Sequence, residues 1–401
     1  MKILNITDSY LSDKPADLAG IFIHRQSLRL SRLGYDLRVI NPQPLICKKT
    51  FSRYYSFYSE KEGIRIFRPK FFYIPILITW GKIYDWFYSR AVWRAFNQFE
   101  ANWKPDLILC DWLVPGGAVS VKISNKLEIP LIMRARGYDV RWIKQNINKM
   151  GDYHKQIGSQ VNWIICNGYG LYEDLKKLDI YDVEKLRVLT NGIDTRFFHP
   201  ATQHEFNFSR EKLRIPNDAR VIVFIGSWIP RKGTNEIAEV LPKILENNPN
   251  VYFLVCGPVI DKVSQEKFQA VMNQAFFLGM VSQDTIVQCL HAADFFILPS
   301  RAEGLPNAML EAMASGLASI VTEVGGNSHV IRHEINGLLI EPENKKMLES
   351  AILRCLSDSD FCSTLGINAR QTITDQQLDM DSVIQRLDDI FRSTTKNYQK
   401  T

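Results

Sequence analysis

Apolar and polar positions along this chain fall into a repeating block pattern. Short apolar runs are each followed by a polar loop, then by a stretch whose apolar residues return at helical spacing. KILNIT is the first run, and it ends against Asp8. A loop with Gly20 leads into IFIHRQSLRLSRL, where Phe22, Leu28 and Leu33 suit one helix face and Gly34 ends the helix. YDLRVI, DLILC, PLIMRA, NWIICN and LRVLT are further apolar runs in the first half. This strand–helix rhythm predicts a parallel, doubly wound sheet.

The rhythm breaks over NGIDTRFFHPATQHEFNFSREKLRIPNDAR, which is polar, carries Asn-Gly and holds two prolines. An interdomain linker is expected here. A second series then begins: RVIVFIGS, a helix from Gly233 to about Glu246, NVYFLVCG, the helix DTIVQCLHAA, DFFILPS, a helix from Pro306, LASIVT and NGLLIEP. The expected organisation is one α/β domain over 1–195 and a second over 196–379. DMDSVIQRLDDIFRS reads as an amphipathic terminal helix, within about 380–401, crossing back to the first domain. Ligands of open α/β sheets sit at the carboxyl ends of strands, so a ligand is expected between two such domains.

The length of 401 residues fits two domains better than one core. Composition is that of a globular protein, 46% hydrophobic and 23% charged. The N-terminus meets Asn5, Thr7 and Asp8 too early for a secretory signal, and FFYIPILITW is too short to span a bilayer. A cytoplasmic protein is expected. The seven cysteines form no Cys-x-x-Cys pair and no metal-ligand spacing with histidine, which suits buried thiols in a reducing compartment.

Charge changes this picture. The net charge of +6 is uneven: residues 1–200 hold 30 Lys+Arg against 19 Asp+Glu, and the remainder 19 against 24. The first half is therefore expected to face something anionic, or to carry a solvated basic face with no partner. Residues 51–103 hold 18 of the 45 aromatics, with 8 Lys+Arg against 4 Asp+Glu. Such a segment suits a membrane interface through Arg65, Arg68, Lys70 and Lys82, or it packs the first domain. Nothing resembles a helix-turn-helix, zinc or RNA-binding signature, so nucleic-acid binding would rest on charge alone.

Candidate chemistry concentrates in PSRAEGLPNAMLEAMASG. A loop with Glu303 and Gly304 follows an apolar run, and Pro306 suits the first turn of a helix. That helix is apolar nearly all round and is expected to be buried, with Glu311 in its middle. A buried carboxylate needs partners, either the vicinal hydroxyls of a ribose or an internal cation. The helix start favours an anion such as a diphosphate. In FIGSWIPRKGTNE, Arg231 and Lys232 stand at a strand–loop–helix junction suited to phosphate oxygens. In MRARGYDVRW, Arg134 and Arg136 end a strand, and Asp139 could orient either one or make a structural ion pair. Gly20, just before a helix, lets backbone approach a ligand.

These motifs together resemble the retaining GT-B glycosyltransferases of family four. Glu303 and Glu311 within EGLPNAMLEAMASG match the signature loop and helix, Lys232-Gly233 the phosphate lysine, NGIDTRFFHP the linker, and VGGNSHVI with NGLLIEP the segments that follow. The resemblance implies a GT-B architecture of two Rossmann-like domains facing a central cleft. It implies transfer of a sugar from a nucleotide-diphosphate donor, uridine- or guanosine-linked, to a glycan or lipid-linked acceptor in surface polysaccharide assembly, at the inner face of the membrane. Glu311 would hold the ribose. Glu303 would contact donor-sugar hydroxyls, helped by the backbone of Gly304, Leu305 and Pro306. Lys232 would bind the diphosphate, and Gly20 would lie near the reacting centre. Arg136 and Asp139 stand in the donor-sugar motif. No metal and no cofactor are implied. The chain departs from the family pattern at Arg136, where histidine is usual, at Ser227, where arginine is usual and Arg231 could supply the charge, at His329, where glutamate is common, and at Ala318, where proline is frequent. The alternative is a catalytically degenerate module that binds a nucleotide sugar or a partner protein.

Overall fold

Parallel strands buried on both faces need near-continuous apolar runs, and those read in the sequence become the strands of two sheets. The computed structural model describes residues 1–11, 20–45, 56–72, 82–99 and 103–398. The chain divides into two units, Met1–Asn191 with Asp381–Thr401, and Gly192–Met380.

The first unit holds β1 (Lys2–Thr7), β2 (Asp36–Ile40), β3 (Gln43–Leu45), β4 (Tyr58–Lys61), β5 (Ile64–Phe67), β6 (Lys70–Phe72), β7 (Leu107–Asp111), β8 (Leu131–Ala135), β9 (Trp163–Cys166) and β10 (Leu186–Val188). Eight of them form one sheet in the order β10-β9-β8-β7-β1-β2-β5-β4, parallel except for the β4–β5 hairpin. β3 and β6 pair separately. Every residue of β7 and β8 is buried. The chain runs from β1 to β2 on one flank and reaches β7 on the other. Ligands bind outside the strand ends at such a switch point.

Three local features differ from the sequence expectation. The helix Ile21–Arg32 buries Ile23, His24, Gln26, Ser27 and Leu30, whereas Leu33 is exposed. Its inward face is polar because it serves hydrogen bonds: Gln26 Nε2 donates to the Asn191 carbonyl at 2.6 Å, and the Tyr10 hydroxyl and His24 Nδ1 are 3.0 Å apart. Second, part of the basic aromatic segment is a hairpin. Its two-residue turn places Glu62 (φ 49°) and Gly63 (φ 81°) in the left-handed region, as a type I′ turn requires. Third, Arg68 does not face outward. It is fully buried, and its Nη2 donates to the Leu11 carbonyl at 2.5 Å. The side chain of Lys82 lies outside the described residues.

The helix Lys82–Phe96 divides the remaining aromatics between two faces. Tyr88, Val92 and Ala95 are in the core, and Phe71 packs on Tyr84 and Tyr88 with ring centroids 5.6 and 5.4 Å apart. Ile83, Trp86, Arg90 and Arg94 occupy the exposed face. The terminal helix Met380–Tyr398 packs within this first unit. Leu387 and Phe391 are buried, Asp388 accepts from the Tyr35 hydroxyl, and Trp163 Nε1 donates to Thr394 Oγ1 at 3.0 Å.

The second unit is a six-stranded parallel sheet of β11 (Arg220–Ile225), β12 (Val251–Cys256), β13 (Ala275–Gly279), β14 (Phe295–Leu298), β15 (Ala318–Thr322) and β16 (Leu338–Ile340). Its order is β13-β12-β11-β14-β15-β16, with a switch point between β11 and β14. The expected linker is not irregular throughout. It contains the helix Gln203–Leu213, started by a capping box in which Thr202 and Glu205 satisfy each other's backbone donors.

Candidate functional site

In the second unit, backbone packing assembles the loops after β11 and β14. Gly257 lies against the turn at Gly226, and a Cβ on Gly257 would stand 2.0 Å from the Gly226 carbonyl oxygen. Trp228 anchors the next residues from a fully buried position, stacking edge-on to Phe224 and donating to Ser264 Oγ at 2.7 Å. Ser227, before it, is half-buried at the loop start. The turn Pro230–Lys232 ends at Gly233 (φ 77°), where a Cβ would meet the Pro299 carbonyl oxygen at 2.0 Å. Glycine is therefore required there, and it presses Arg231 and Lys232 onto the loop after β14.

The side chains then converge. Lys232 Nζ lies 2.5 Å from Glu303 Oε1, which also accepts from Ser300 Oγ at 2.8 Å. Arg231 Nη1 donates to the Ala302 carbonyl at 2.9 Å and stands 3.9 Å from Glu303 Oε1. Arg301 turns instead to Glu236 at 2.6 Å and Glu343 at 3.0 Å. The glycine pair of VGGNSHVI buttresses this loop: Gly325 (φ 59°) would place a Cβ 2.0 Å from the Glu303 carbonyl oxygen, and Gly326 N–H donates to the Gly304 carbonyl at 2.6 Å. Gly304 is half-buried, Leu305 and Pro306 are buried, and His329 is exposed.

Pro306 is the N-cap of the helix Asn307–Ala314, which has no side-chain cap and no acidic residue in its first turn. Its start is open to an anion in the sense of the helix dipole. Glu311 is not buried as the sequence suggested. Met309, Leu310, Ala312 and Met313 face the core, while Asn307, Ala308 and Glu311 share the half-buried face. Two cations, one carboxylate and a helix start thus meet at the β11/β14 switch point, an arrangement able to hold a diphosphate.

In the first unit, Gly20 (φ 71°) precedes the helix Ile21–Arg32 and touches the loop after β1, with a Cβ position 2.6 Å from the Ser9 carbonyl oxygen. The Arg136 side chain is buried and bound by Asp111, through Nε at 3.0 Å and through Nη2, and by Asn191 Oδ1. Its guanidinium lies 4.9 Å from the Phe22 ring centroid. Asp139 orients neither arginine, contrary to the expectation. Its oxygens accept from the backbone N–H groups of Leu113 (2.8 Å), Arg136 (3.1 Å), Gly137 (2.8 Å) and Val140 (3.0 Å). Burial pushes its carboxyl up, and those four donors oppose the shift. The residue that does pair the arginines is Asp111, at the carboxyl end of β7; Arg134 Nε lies 3.7 Å from it. Burial and the Arg136 charge depress Arg134 to about 9. Asp111 was legible only as a polar residue ending an apolar strand.

A cavity of about 300 Å³ opens in the same unit, lined by Asp8 after β1, Pro42 after β2, Val114 and Pro115 after β7, and Tyr138, Asp139 and Trp142 after β8. Phe71, Tyr84 and Asp85 close it from the other side. Asp8 stays accessible yet is densely surrounded by protein, and burial, with Asp139 nearby, pushes its carboxyl up to about 7. Burial likewise takes Asp85 up to about 7, against the pull of the Tyr153 hydroxyl.

One group of described residues has the donor types of a divalent-metal site. His199, Glu205 and His291 bring ligating atoms within 4.8 Å of one another. Glu205 already serves the Thr202 capping box through Oε2.

The sequence model of the Glycosyl transferases group 1 matches residues 205–372, and that of Glycosyltransferase Family 4 matches residues 19–197. The chain is 30% identical to TuaC of Bacillus subtilis, a glycosyltransferase named for teichuronic acid biosynthesis, over 88% of this chain and 89% of that one. It is also 30% identical to an Escherichia coli UDP-Gal:alpha-D-GlcNAc-diphosphoundecaprenol alpha-1,3-galactosyltransferase, over 48% of this chain and 50% of that one. Its fold resembles sucrose-phosphate synthase of Thermosynechococcus elongatus, with a TM-score of 0.78, 19% identity, and coverage of 98% of this chain and 99% of that one. With both family models matched and one relative this similar along nearly the whole chain, the protein belongs to the group 1 (family four) glycosyltransferases and has their α/β GT-B fold.

Proposed function

We propose that the enzyme is a retaining glycosyltransferase. It moves a sugar from a uridine- or guanosine-diphosphate donor to a glycan or lipid-linked acceptor, in the assembly of a cell-surface polysaccharide. The observation that carries the reading is the meeting of Lys232, Arg231, Glu303 and the start of the helix Asn307–Ala314 at one switch point. Lys232, Arg231 and the helix start stabilise charge on the departing diphosphate, so no metal ion is needed for that step. Glu303 receives donor-sugar hydroxyls, and Glu311, on the accessible face of its helix, receives the ribose. The acceptor oxygen attacks the anomeric carbon on the face the diphosphate leaves. The carbon–oxygen bond to phosphate breaks, and the hydroxyl proton passes to the diphosphate.

The names of the two relatives support the acceptor class. One is named for teichuronic acid biosynthesis, and the other for a UDP-linked donor and a diphosphoundecaprenol-linked acceptor. No helix among the described residues is long and apolar enough to cross a membrane. We assign membrane contact to the exposed face of the helix Lys82–Phe96, where Trp86 is 54% exposed and Arg90 lies 5.6 Å from its ring centroid. Aromatic and basic side chains on one helix face suit an anionic headgroup region. The test is incubation with a panel of nucleotide sugars and a polyprenyl-diphosphate sugar in anionic vesicles, with NMR of the product. Transfer with the donor's anomeric configuration kept, undiminished by EDTA, is expected; an inverted product or none contradicts the reading.

A further inference from the structure

Away from the loops that hold Lys232 and Glu303, the second unit gathers two imidazoles and a carboxylate. His199 lies in the linker, and Glu205 is in the first turn of the helix Gln203–Leu213. His291 is in the last turn of the helix Gln283–Ala292, which packs on that helix. One ligating atom from each residue lies within 4.8 Å of the other two. Only Ala293 and Asp294 separate His291 from the first residue of β14, so the group sits at the amino end of that strand, opposite the Glu303 loop. His291 is 6% exposed, whereas the side chains of His199 and Glu205 are 33% and 35% exposed, which gives an ion a way in.

Neighbouring hydrogen bonds fix how these groups point. His199 Nδ1 lies 3.0 Å from the Pro200 carbonyl oxygen and donates to it, which leaves the lone pair of the neutral ring on Nε2. His291 Nε2 stands 3.2 Å from the His199 carbonyl oxygen, and the two ring centroids are 5.0 Å apart. Glu205 gives Oε2 to the capping box, where it accepts from the Thr202 N–H and hydroxyl at 2.8 Å each, and keeps Oε1. His199 Nε2 and Glu205 Oε1 face each other at 3.6 Å. Two electron-rich atoms across such a gap call for a cation between them. The gap is too long for a shared proton, since a hydrogen bond needs about 2.7–3.2 Å. It is close to the roughly 3.4 Å between two ligand atoms that each stand about 2.0–2.1 Å from a tetrahedral zinc ion.

We propose that His199, Glu205 and His291 form a zinc site that clips the linker and two helices of the second unit together. The ion takes His199 Nε2, Glu205 Oε1 and one ring nitrogen of His291, with water in the fourth position. Two imidazoles and a carboxylate suit zinc better than magnesium or calcium, which prefer all-oxygen sets. The ion holds the chain entering the helix Gln203–Leu213 onto the helix Gln283–Ala292. It stands away from the donor loops, so it adds stability and takes no part in sugar transfer.

The test is calorimetric titration of the full chain, prepared without a histidine tag and stripped with EDTA, with Zn²⁺, and with Co²⁺ as a spectroscopic probe. One zinc ion per chain is expected, with the strong visible bands of four-coordinate cobalt and a raised unfolding midpoint. Glu205→Gln keeps a capping box, because glutamine serves at that position too, and removes the charged ligand. It should weaken zinc binding at least tenfold, as should His199→Ala. His204→Ala, at an exposed neighbouring ring, should leave binding unchanged. No zinc binding at millimolar concentration, binding unchanged in Glu205→Gln or in His199→Ala, or binding lost in His204→Ala overturns the assignment. The transferase reading stands or falls separately, on nucleotide diphosphate binding by the EDTA-stripped chain.

Discussion

Lys232 Nζ and Glu303 Oε1 lie 2.5 Å apart, although they belong to loops at the ends of different strands, β11 and β14. The pair is little exposed, 16% for the lysine and 9% for the glutamate side chain. A cation held this way is positioned before any ligand arrives, and so is the carboxylate. Lys232→Met should lower turnover by about 10²–10³-fold, the usual loss when one preorganised charge-stabilising group is removed. Glu303 would keep Ser300 as a partner, so the fold should survive. A loss below tenfold in steady-state kinetics would place the leaving-group charge elsewhere.

Gly325 offers a second handle on the same loop. Its φ of 59° and the 2.0 Å separation between an added Cβ and the Glu303 carbonyl oxygen leave Ala no room. Gly63 has a similar φ of 81° with nothing within 4 Å, so it isolates the backbone cost alone, about 1 kcal/mol. Gly325→Ala should abolish most activity, while Gly63→Ala should cost only that stability in urea unfolding. Equal behaviour of the two variants would contradict the buttressing role.

Asp85 predicts an unusual pH dependence of stability. Its folded pKa is raised to about 7 by burial, from 3.8. Between those values the folded state binds more protons than the unfolded one, so this group's contribution to stability falls as pH rises from about 4 to 7. The Tyr153 hydroxyl and the Lys122 charge both pull against the shift. Asp85→Asn should therefore stabilise the protein at pH 8, by on the order of 2–4 kcal/mol, and change little near pH 4. Unfolding curves at the two pH values check this. A variant destabilised equally at both would contradict the raised carboxyl.

Membrane contact is assigned to one helix face, and the prediction is specific to it. Replacing Trp86 by Ala and Arg90 and Arg94 by Ser should reduce flotation with phosphatidylserine-containing vesicles at least tenfold, since each basic residue near such a surface contributes about 1 kcal/mol. Arg68→Ser should leave flotation alone and reduce stability, because that side chain is internal. Equal flotation of the triple variant and wild type would remove the helix from consideration.

Much of the fold was legible because parallel strands buried on both faces leave continuous apolar runs, as in LILCD and RVIVFI. β13, in AFFLG, carries a weaker signal, because only its first residue is buried. The capping box at Thr202 and Glu205 was readable as Thr-x-x-Glu, yet the surrounding polarity hid the helix it starts. Around Glu303 and Lys232 the motif residues converge because glycines at 233 and 325 bring backbones into contact, a fact a motif carries without explaining. The first unit is less legible. Asp139 stood out by motif but spends its carboxylate on its own backbone, whereas Asp111 and Asp85 pair or line a cavity through strand and helix packing that no local pattern announces. The inward face of the helix Ile21–Arg32 misled for the same reason: His24 and Gln26 are buried by hydrogen bonding, not by hydrophobicity.

The central claim is that the second unit binds a nucleotide diphosphate through Glu311, Lys232 and the start of the helix Asn307–Ala314. The most direct test is the unfolding midpoint of wild type and Glu311→Ala with UDP, GDP, ADP, dTDP and CMP. A ligand at a hundred times its dissociation constant adds about 2.7 kcal/mol of stability. UDP or GDP should stabilise the wild type to that order, and Glu311→Ala should lose the effect. No stabilisation of the wild type by any diphosphate at millimolar concentration, or an equal effect in Glu311→Ala, would contradict it.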